Sequence, residues 1–340
     1  MNGYQRINAA LNGLQPDKIP VMLHNFMMAA REHGVTMEQY RNSPKVICET
    51  FIAAIEKYKY DGILIDIDTV TLAGAVGVQV DFPANDPARP LSGNIEVLED
   101  IIHLKSPRVE DYRYIQVWLE AVYLLKDYFK NELYIRGNCD QAPFSLACMM
   151  RGTQNWMLDL IMDSDIQINL LLEYCYEASS QFIKLMAQTG CDMVSNGDSL
   201  AGPEMISAEM YLKYAMPFEK KIVKIAHNEG LKYALHICGD TDAILKHMLL
   251  TEADAFELDY KTDIDKIYNT FHNRATFIGN IDPSSVLALG TSDDVQKKTI
   301  ELLSLYKDSN RFILNAGCAI PPHTPSENLK IMIDTARNFR

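Results

Sequence analysis

Eight short apolar runs, each followed by a longer stretch of helical periodicity, constrain this 340-residue chain more than any other feature. The runs are Ile19 to Leu23, Gly62 to Ile67, Leu133 to Gly137, Asp192 to Asn196, Tyr233 to Ile237, Ala255 to Leu258, Thr276 to Gly279 and Phe312 to Asn315. Strands separated by helices must be joined by crossovers, so this alternation builds a parallel sheet. Eight such units over this length fit a closed (β/α)8 barrel, the TIM-barrel class of α/β fold, better than a doubly wound sheet. Apolar residues at steps of three and four predict helices over Ser43 to Lys57, Val109 to Asn131, Trp156 to Thr189, Ser207 to Glu229, Asp240 to Leu250, Ser292 to Tyr306 and Pro325 to Phe339. The stretch from Thr71 to Pro107, rich in Gly, Pro and Asp, breaks this rhythm and reads as an excursion after the second strand that folds over the barrel mouth. No Pro- or Ser-rich linker divides the chain, so a single domain over residues 1–340 is expected.

A formal charge of −13 argues against a general nucleic-acid or anionic-membrane binder, because such proteins need basic surface to neutralise phosphates. No apolar run approaches the roughly 20 residues of a spanning helix, and Met1 to Leu14 is polar and amphipathic rather than a signal peptide. A cytoplasmic protein is expected. Seven cysteines, an odd number at irregular spacing, do not form a disulfide framework, and reduced thiols follow. Cys48 and Cys175 fall in helical patterns and read as filler. Cys139, Cys148 and Cys191 lie nearer strand ends and are weaker ligand candidates than the two cysteines that follow.

In the segment Leu235-His236-Ile237-Cys238-Gly239-Asp240, the histidine and cysteine are two apart, so on a strand both side chains share a face. Eighty residues on, Asn315-Ala316-Gly317-Cys318 supplies a third soft donor at another strand end. Buried free cysteine is common, and one His-x-Cys pair alone would be read as core. The flanking glycines and preceding apolar runs favour a zinc site of His236, Cys238 and Cys318. Three N and S ligands leave one tetrahedral position free, which distinguishes catalytic from structural zinc.

In a (β/α)8 barrel the active site gathers at the C-terminal ends of the strands. Those positions hold His24 and Asn25, Asp66 and Asp68, Asn138 and Asp140, Asn196 and Asp198, then Asp259, Asn280 and Asp282, beside the three proposed ligands. A polar residue at nearly every strand end supports an enzyme. Asp198 is a candidate acid/base, polar anchor or fourth zinc ligand, and equally a helix cap. His24, Asn25, Asp66, Asn138, Asn280 and His323 are candidate substrate contacts. Asp66 and Asp68 share a face or form a turn, and Asn280-Ile281-Asp282-Pro283 lines the cleft or starts a turn. Met27-Met28 and Met149-Met150 read as adaptable core or pocket lining.

Gln141-Ala-Pro-Phe-Ser-Leu-Ala147, His236-Ile-Cys-Gly239, Gly279-Asn-Ile-Asp-Pro283 and Gly317-Cys-Ala-Ile-Pro-Pro322, followed by Thr324-Pro-Ser-Glu-Asn-Leu329, occur in this order. Together they resemble the uroporphyrinogen decarboxylase superfamily over most of the chain. That resemblance implies a (β/α)8 barrel with its cleft at the C-terminal mouth. The superfamily's cofactor-free decarboxylases carry an arginine-rich segment after the first strand, but here His24-Asn-Phe-Met-Met-Ala-Ala-Arg-Glu-His33 has one arginine. His236, Cys238 and Cys318 match instead the zinc ligands of the methylcobamide:coenzyme M methyltransferase branch. The resemblance therefore implies zinc-dependent movement of a methyl group between a methylcobamide on a partner corrinoid protein and a small thiol. Corrinoid-linked transfer involving tetrahydrofolate or a methylated small molecule, uroporphyrinogen-type decarboxylation, and a non-enzymatic docking subunit remain as alternatives. The corrinoid-binding pattern Asp-x-His-x-x-Gly is absent, so the corrinoid is expected on a partner or free in solution.

Overall fold

The structure is a computed structural model and describes residues 1–339. Its eight-stranded sheet consists of β1 (Met22–Leu23), β2 (Gly62–Ile65), β3 (Tyr134–Gln141), β4 (Met193–Gly197), β5 (Lys232–Ile237), β6 (Ala255–Leu258), β7 (Thr276–Ile281) and β8 (Phe312–Ala316). The strands are parallel and neighbour each other in chain order. A parallel bridge between Val21 and Leu314, with the Leu314 N–H donating to the Pro20 carbonyl at 2.9 Å, joins β8 to the residues leading into β1. The expected (β/α)8 barrel is the fold observed. Every expected strand is present, most with ends displaced by one or two residues.

Read by twos, the strands explain how one barrel holds both a core and a cleft. At the lower end Met22, Tyr134, Met193, Ala234, Ala255, Ile278 and Ile313 form a buried apolar cluster. The N-terminal helix Gly3–Leu11 plugs this end, adding Ile7, Ala10 and Leu11 to the same cluster. Glycine at position 62 makes room for the plug, since a Cβ there would lie 2.4 Å from Ile7 Cδ1. Two residues further along, the same face carries His24, Leu64, Arg136, His236 and Glu257, which line a cleft at the C-terminal mouth. A second and larger apolar cluster packs the outer face of the strands against the helices.

The helices differ from expectation where local chemistry interrupts them. Trp156 to Thr189 is two helices, Thr153–Met162 and Asp165–Ala187, because Ser164 caps the second by accepting the Gln167 N–H. Within Ser207 to Glu229 a widened π turn at Tyr211–Ala215 precedes Met216–Asn228, where Pro217 cannot donate a backbone hydrogen bond. Asp240 to Leu250 yields only the short helix Leu245–Met248 and flanking turns. The excursion after β2 contains the helix Thr71–Ala75, an antiparallel ribbon of Gln79–Asp81 with Arg89–Ser92, and a 3-10 turn at Leu98–His103. It reaches the mouth, where Thr69 and Pro87 join the cleft wall. Among the described residues, no helix is long and apolar enough to cross a membrane.

Candidate metal centre and cleft

His236 and Cys238 extend from the end of β5 on one face, with His236 Nε2 and Cys238 Sγ 2.9 Å apart. The ring's tautomer follows from its other nitrogen. Nδ1 lies 3.0 Å from the Glu257 carbonyl, which can only accept, so Nδ1 carries a hydrogen and Nε2 is the nitrogen turned toward the sulfurs.

Cys318 comes from β8, which is not a neighbour of β5, and its loop must cross the ends of β7 and β6. Gly317 permits the crossing: a Cβ there would lie 2.7 Å from the Tyr260 nitrogen and 3.1 Å from Asp259 Cα. The Gly317 N–H donates to the Ile281 carbonyl at 3.0 Å, and the Ile320 N–H donates to the His24 carbonyl at 2.8 Å. Clamped on both sides, Cys318 places its Sγ 3.5 Å from Cys238 Sγ and 3.9 Å from His236 Nε2.

A tetrahedral zinc with ordinary Zn–S and Zn–N bonds has donor–donor edges of about 3.6–3.8 Å. The observed edges are 2.9, 3.5 and 3.9 Å, so an ion fits after the shortest opens by under about 1 Å. The three donor atoms lie within 4.8 Å of one another, and no other such group of His, Cys, Asp and Glu ligands occurs among the described residues. The donor set also has the right chemistry. The hydrogen bond between the two thiols draws the Cys238 pKa below its ordinary value and pushes that of Cys318 up, so the pair shares a proton that a bound cation would displace. The other five cysteines are buried, whereas Cys238 and Cys318 are part-exposed to the cleft.

The cleft encloses about 390 Å³. A charged network forms its inner wall. His24 Nε2 is 2.7 Å from Asp66 Oδ2, and His24 Nδ1 is 3.7 Å from Glu257 Oε1. Glu257 also pairs with Arg136, and both are almost fully buried. Burial opposes charge on His24, but the Asp66 and Glu257 carboxylates outweigh it and hold its pKa at about 9. Burial likewise disfavours the Glu257 carboxylate, yet Arg136 keeps it well below the usual carboxylate range. Asp68 and Asp140 have no such partner, and burial pushes both upward.

Of the expected contacts, His24, Asp66 and Asn138 line this cleft together with the three candidate ligands. Asn138 Oδ1 accepts from the Ser195 hydroxyl at 3.4 Å. Four others stand apart. Asn25 is buried against the Tyr60 hydroxyl at 3.4 Å. Asn280 donates to the Asp259 carbonyl at 3.2 Å and faces a separate cavity. His323 is exposed on the rim of a neighbouring cavity that shares Met27, Pro87 and Ala319 with the cleft. Asp198 is fully buried behind the wall, where Oδ1 accepts the Ser145 N–H at 2.8 Å and its own N–H donates to the His236 carbonyl at 2.8 Å. Burial raises the Asp198 pKa and that of its neighbour Glu219. Met27 and Met149 line the cleft, while Met28 and Met150 are core.

Sequence reasoning missed Arg136 and Glu257. Both are charges inside apolar runs, two residues before Asn138 and Asp259, and that conflict with a core strand was the available signal.

Comparison with known proteins adds four findings. Residues 3–339 match the family "Uroporphyrinogen decarboxylase (URO-D)". Among curated proteins, the methylcobamide:CoM methyltransferase MtbA of Methanosarcina mazei is 34% identical over 247 residues, covering 73% of this chain and 70% of its own. A uroporphyrinogen decarboxylase of Prochlorococcus marinus is 26% identical over 319 residues, covering 91% and 87%. Among solved structures, a methyltransferase from Methanosarcina mazei superposes with a TM-score of 0.90 at 21% identity, over 100% of this chain and 99% of that one.

Proposed function

The chain belongs to the uroporphyrinogen decarboxylase family, and from that membership we propose that it is a zinc-dependent methyltransferase, moving a methyl group from a methylcobamide on a separate corrinoid protein to a small thiol. The observation that carries this reading is the convergence of His236, Cys238 and Cys318 on one point of the cleft wall. Similarity to MtbA, whose name states a methylcobamide:CoM methyltransferase activity, supports the same chemistry. Free cysteines throughout fit a reducing compartment, and we place the protein in the cytoplasm.

Zinc held there would deprotonate a thiol placed at its open position, supplying the thiolate that a free alkyl thiol scarcely provides at neutral pH. The chain's own residues prepare the place. The Glu257 carbonyl holds His236 in the ligating tautomer, and the clamped Gly317 loop presents Cys318. Two thiolate ligands offset the charge of a divalent ion, so a third sulfur stays nucleophilic. Phe26, Met27, Met149 and Leu200 form an apolar wall that sheds water from the sulfur. His24, fixed by Asp66, and Asn138 remain as polar contacts for the acceptor. A methylcobamide would supply the methyl group: its cobalt–carbon bond would break as the sulfur–carbon bond formed, with the electron pair staying on cobalt and the thiol proton leaving to solvent.

Decarboxylation of a polycarboxylate is disfavoured because both cationic side chains of the inner wall are already paired with carboxylates. Zinc-loaded protein with methylcobalamin and small thiols tests the proposal: methylated thiol should accumulate with zinc and fail to appear after its removal. Metal-independent turnover of a porphyrinogen would overturn it.

A further inference from the structure

A methyl group passes to a nucleophilic sulfur only when sulfur, carbon and the departing cobalt are nearly in line. The corrin plane stands across that line, so a methylcobamide poised over the cleft must spread sideways onto the rim. A cleft of about 390 Å³ can receive the methyl group but not the macrocycle with its fringe of amide side chains. One side of the rim is hollow. A second cavity of about 630 Å³ shares Met27, Pro87 and Ala319 with the cleft, and Ala319 follows Cys318 in the chain. The cavity beside Tyr260 and Asn280 shares no residue with the cleft.

Fixed contacts shape this hollow. Fully buried Arg41 donates to the carbonyls of Pro83 and Asp86, the latter at 2.9 Å, and the Glu38 N–H donates to the Ala84 carbonyl at 2.9 Å. They hold the loop that brings Asn85 and Pro87 to the cavity wall, while Pro321 and Pro322 stiffen the chain after Cys318. Met27, Ala30, Val35 and Met37 supply buried or half-buried apolar lining, and Arg31, Asn85, Asp86 and His323 are its exposed polar members. Mostly apolar walls with a few polar groups and a volume of this order are what small-molecule sites share. Arg31 and Asp86 are of opposite sign, so an ionic group would meet a charge of its own kind. A neutral carboxamide both donates and accepts, and it suits the mixture.

Resting on the methyl-transfer reading, we propose that this second cavity is a donor subsite that receives the amide-bearing edge of the corrin ring and leaves the cleft to the acceptor thiol.

Two variants at exposed positions that line the second cavity and not the cleft, Asn85→Trp and His323→Trp, test this by filling it. Methyl transfer from free methylcobalamin to 2-mercaptoethanol is followed with zinc-loaded protein, and methylcobalamin binding to metal-free protein is measured by equilibrium dialysis. Each variant should raise the KM and the dissociation constant for methylcobalamin at least about tenfold, about 1.4 kcal/mol, with the thiol KM and zinc content unchanged. Folded variants that handle methylcobalamin as wild type does overturn the proposal. A rise in the thiol KM alone also overturns it, because the cavity then serves the acceptor. Wild-type protein that neither binds methylcobalamin nor transfers its methyl group overturns the methyl-transfer reading and this proposal with it, whereas unaffected variants of an active enzyme overturn this proposal alone.

Discussion

His236 and Cys318 are brought to Cys238 by contacts outside the trio, the Glu257 carbonyl and the clamped Gly317 loop, and the proposed zinc centre rests on that convergence. Replacing Cys238 or Cys318 with Ala removes a thiolate from a three-donor site. Each variant should lose zinc at sub-stoichiometric chelator and lose methyl transfer, read by metal analysis and product formation. His24 makes a different prediction, about stability. Its folded pKa of about 9 lies above the unfolded value near 6.5, so the charged His24–Asp66 contact stabilises fully below about pH 6.5 and is lost as pH rises through about 9. Thermal unfolding of wild type should fall toward that of His24→Gln between pH 7 and 10, and parallel curves would contradict the pairing. The proposed ligands stood out in the sequence because soft donors at period two are unusual, and the structure brings the three side chains together. Arg136 and Glu257 were not, since a charge inside an apolar run looks like a strand error until the barrel turns it inward.

At the level of elements, the loop after β8 and the N-terminal plug do separable work. Gly317→Ala puts a methyl 2.7 Å from the Tyr260 nitrogen, and the loop carrying Cys318 must lift away from β6. Zinc affinity should fall at least about tenfold, about 1.4 kcal/mol, with thermal stability little changed. Ile7→Ala, at a fully buried position of the plug, should show the reverse: a loss of about 2–5 kcal/mol in unfolding free energy with zinc affinity intact. Strands were placed well from sequence because short Val- and Ile-rich runs between helical stretches admit few alternatives. The helix breaks at Ser164 and near Pro217 were missed because apolar periodicity continues across them, and only the cap and the absent N–H interrupt the hydrogen bonding. The reach of Cys318 across two strand ends was also beyond sequence. It depends on contacts of Gly317 with residues some sixty positions earlier.

Across the whole molecule, the barrel's two apolar clusters do not include His236, Cys238 or Cys318, so the fold would not lean on a metal held by them. Chelation should therefore abolish transfer while leaving cooperative unfolding and helix content in place, unlike a structural zinc domain, which unfolds. Barrel and mouth were foreseeable from the rhythm of eight runs, whereas the charge balance of the cleft emerged only when inward faces from different strands met. His236, Cys238 and Cys318 are proposed to hold one zinc with room for a substrate sulfur. X-ray absorption at the zinc edge, before and after adding 2-mercaptoethanol, measures this directly. One zinc per chain is expected, with two sulfur neighbours at about 2.3 Å and one imidazole, rising to three sulfurs with the thiol. A sulfur count that stays at two, or a protein that takes up no zinc, would contradict it.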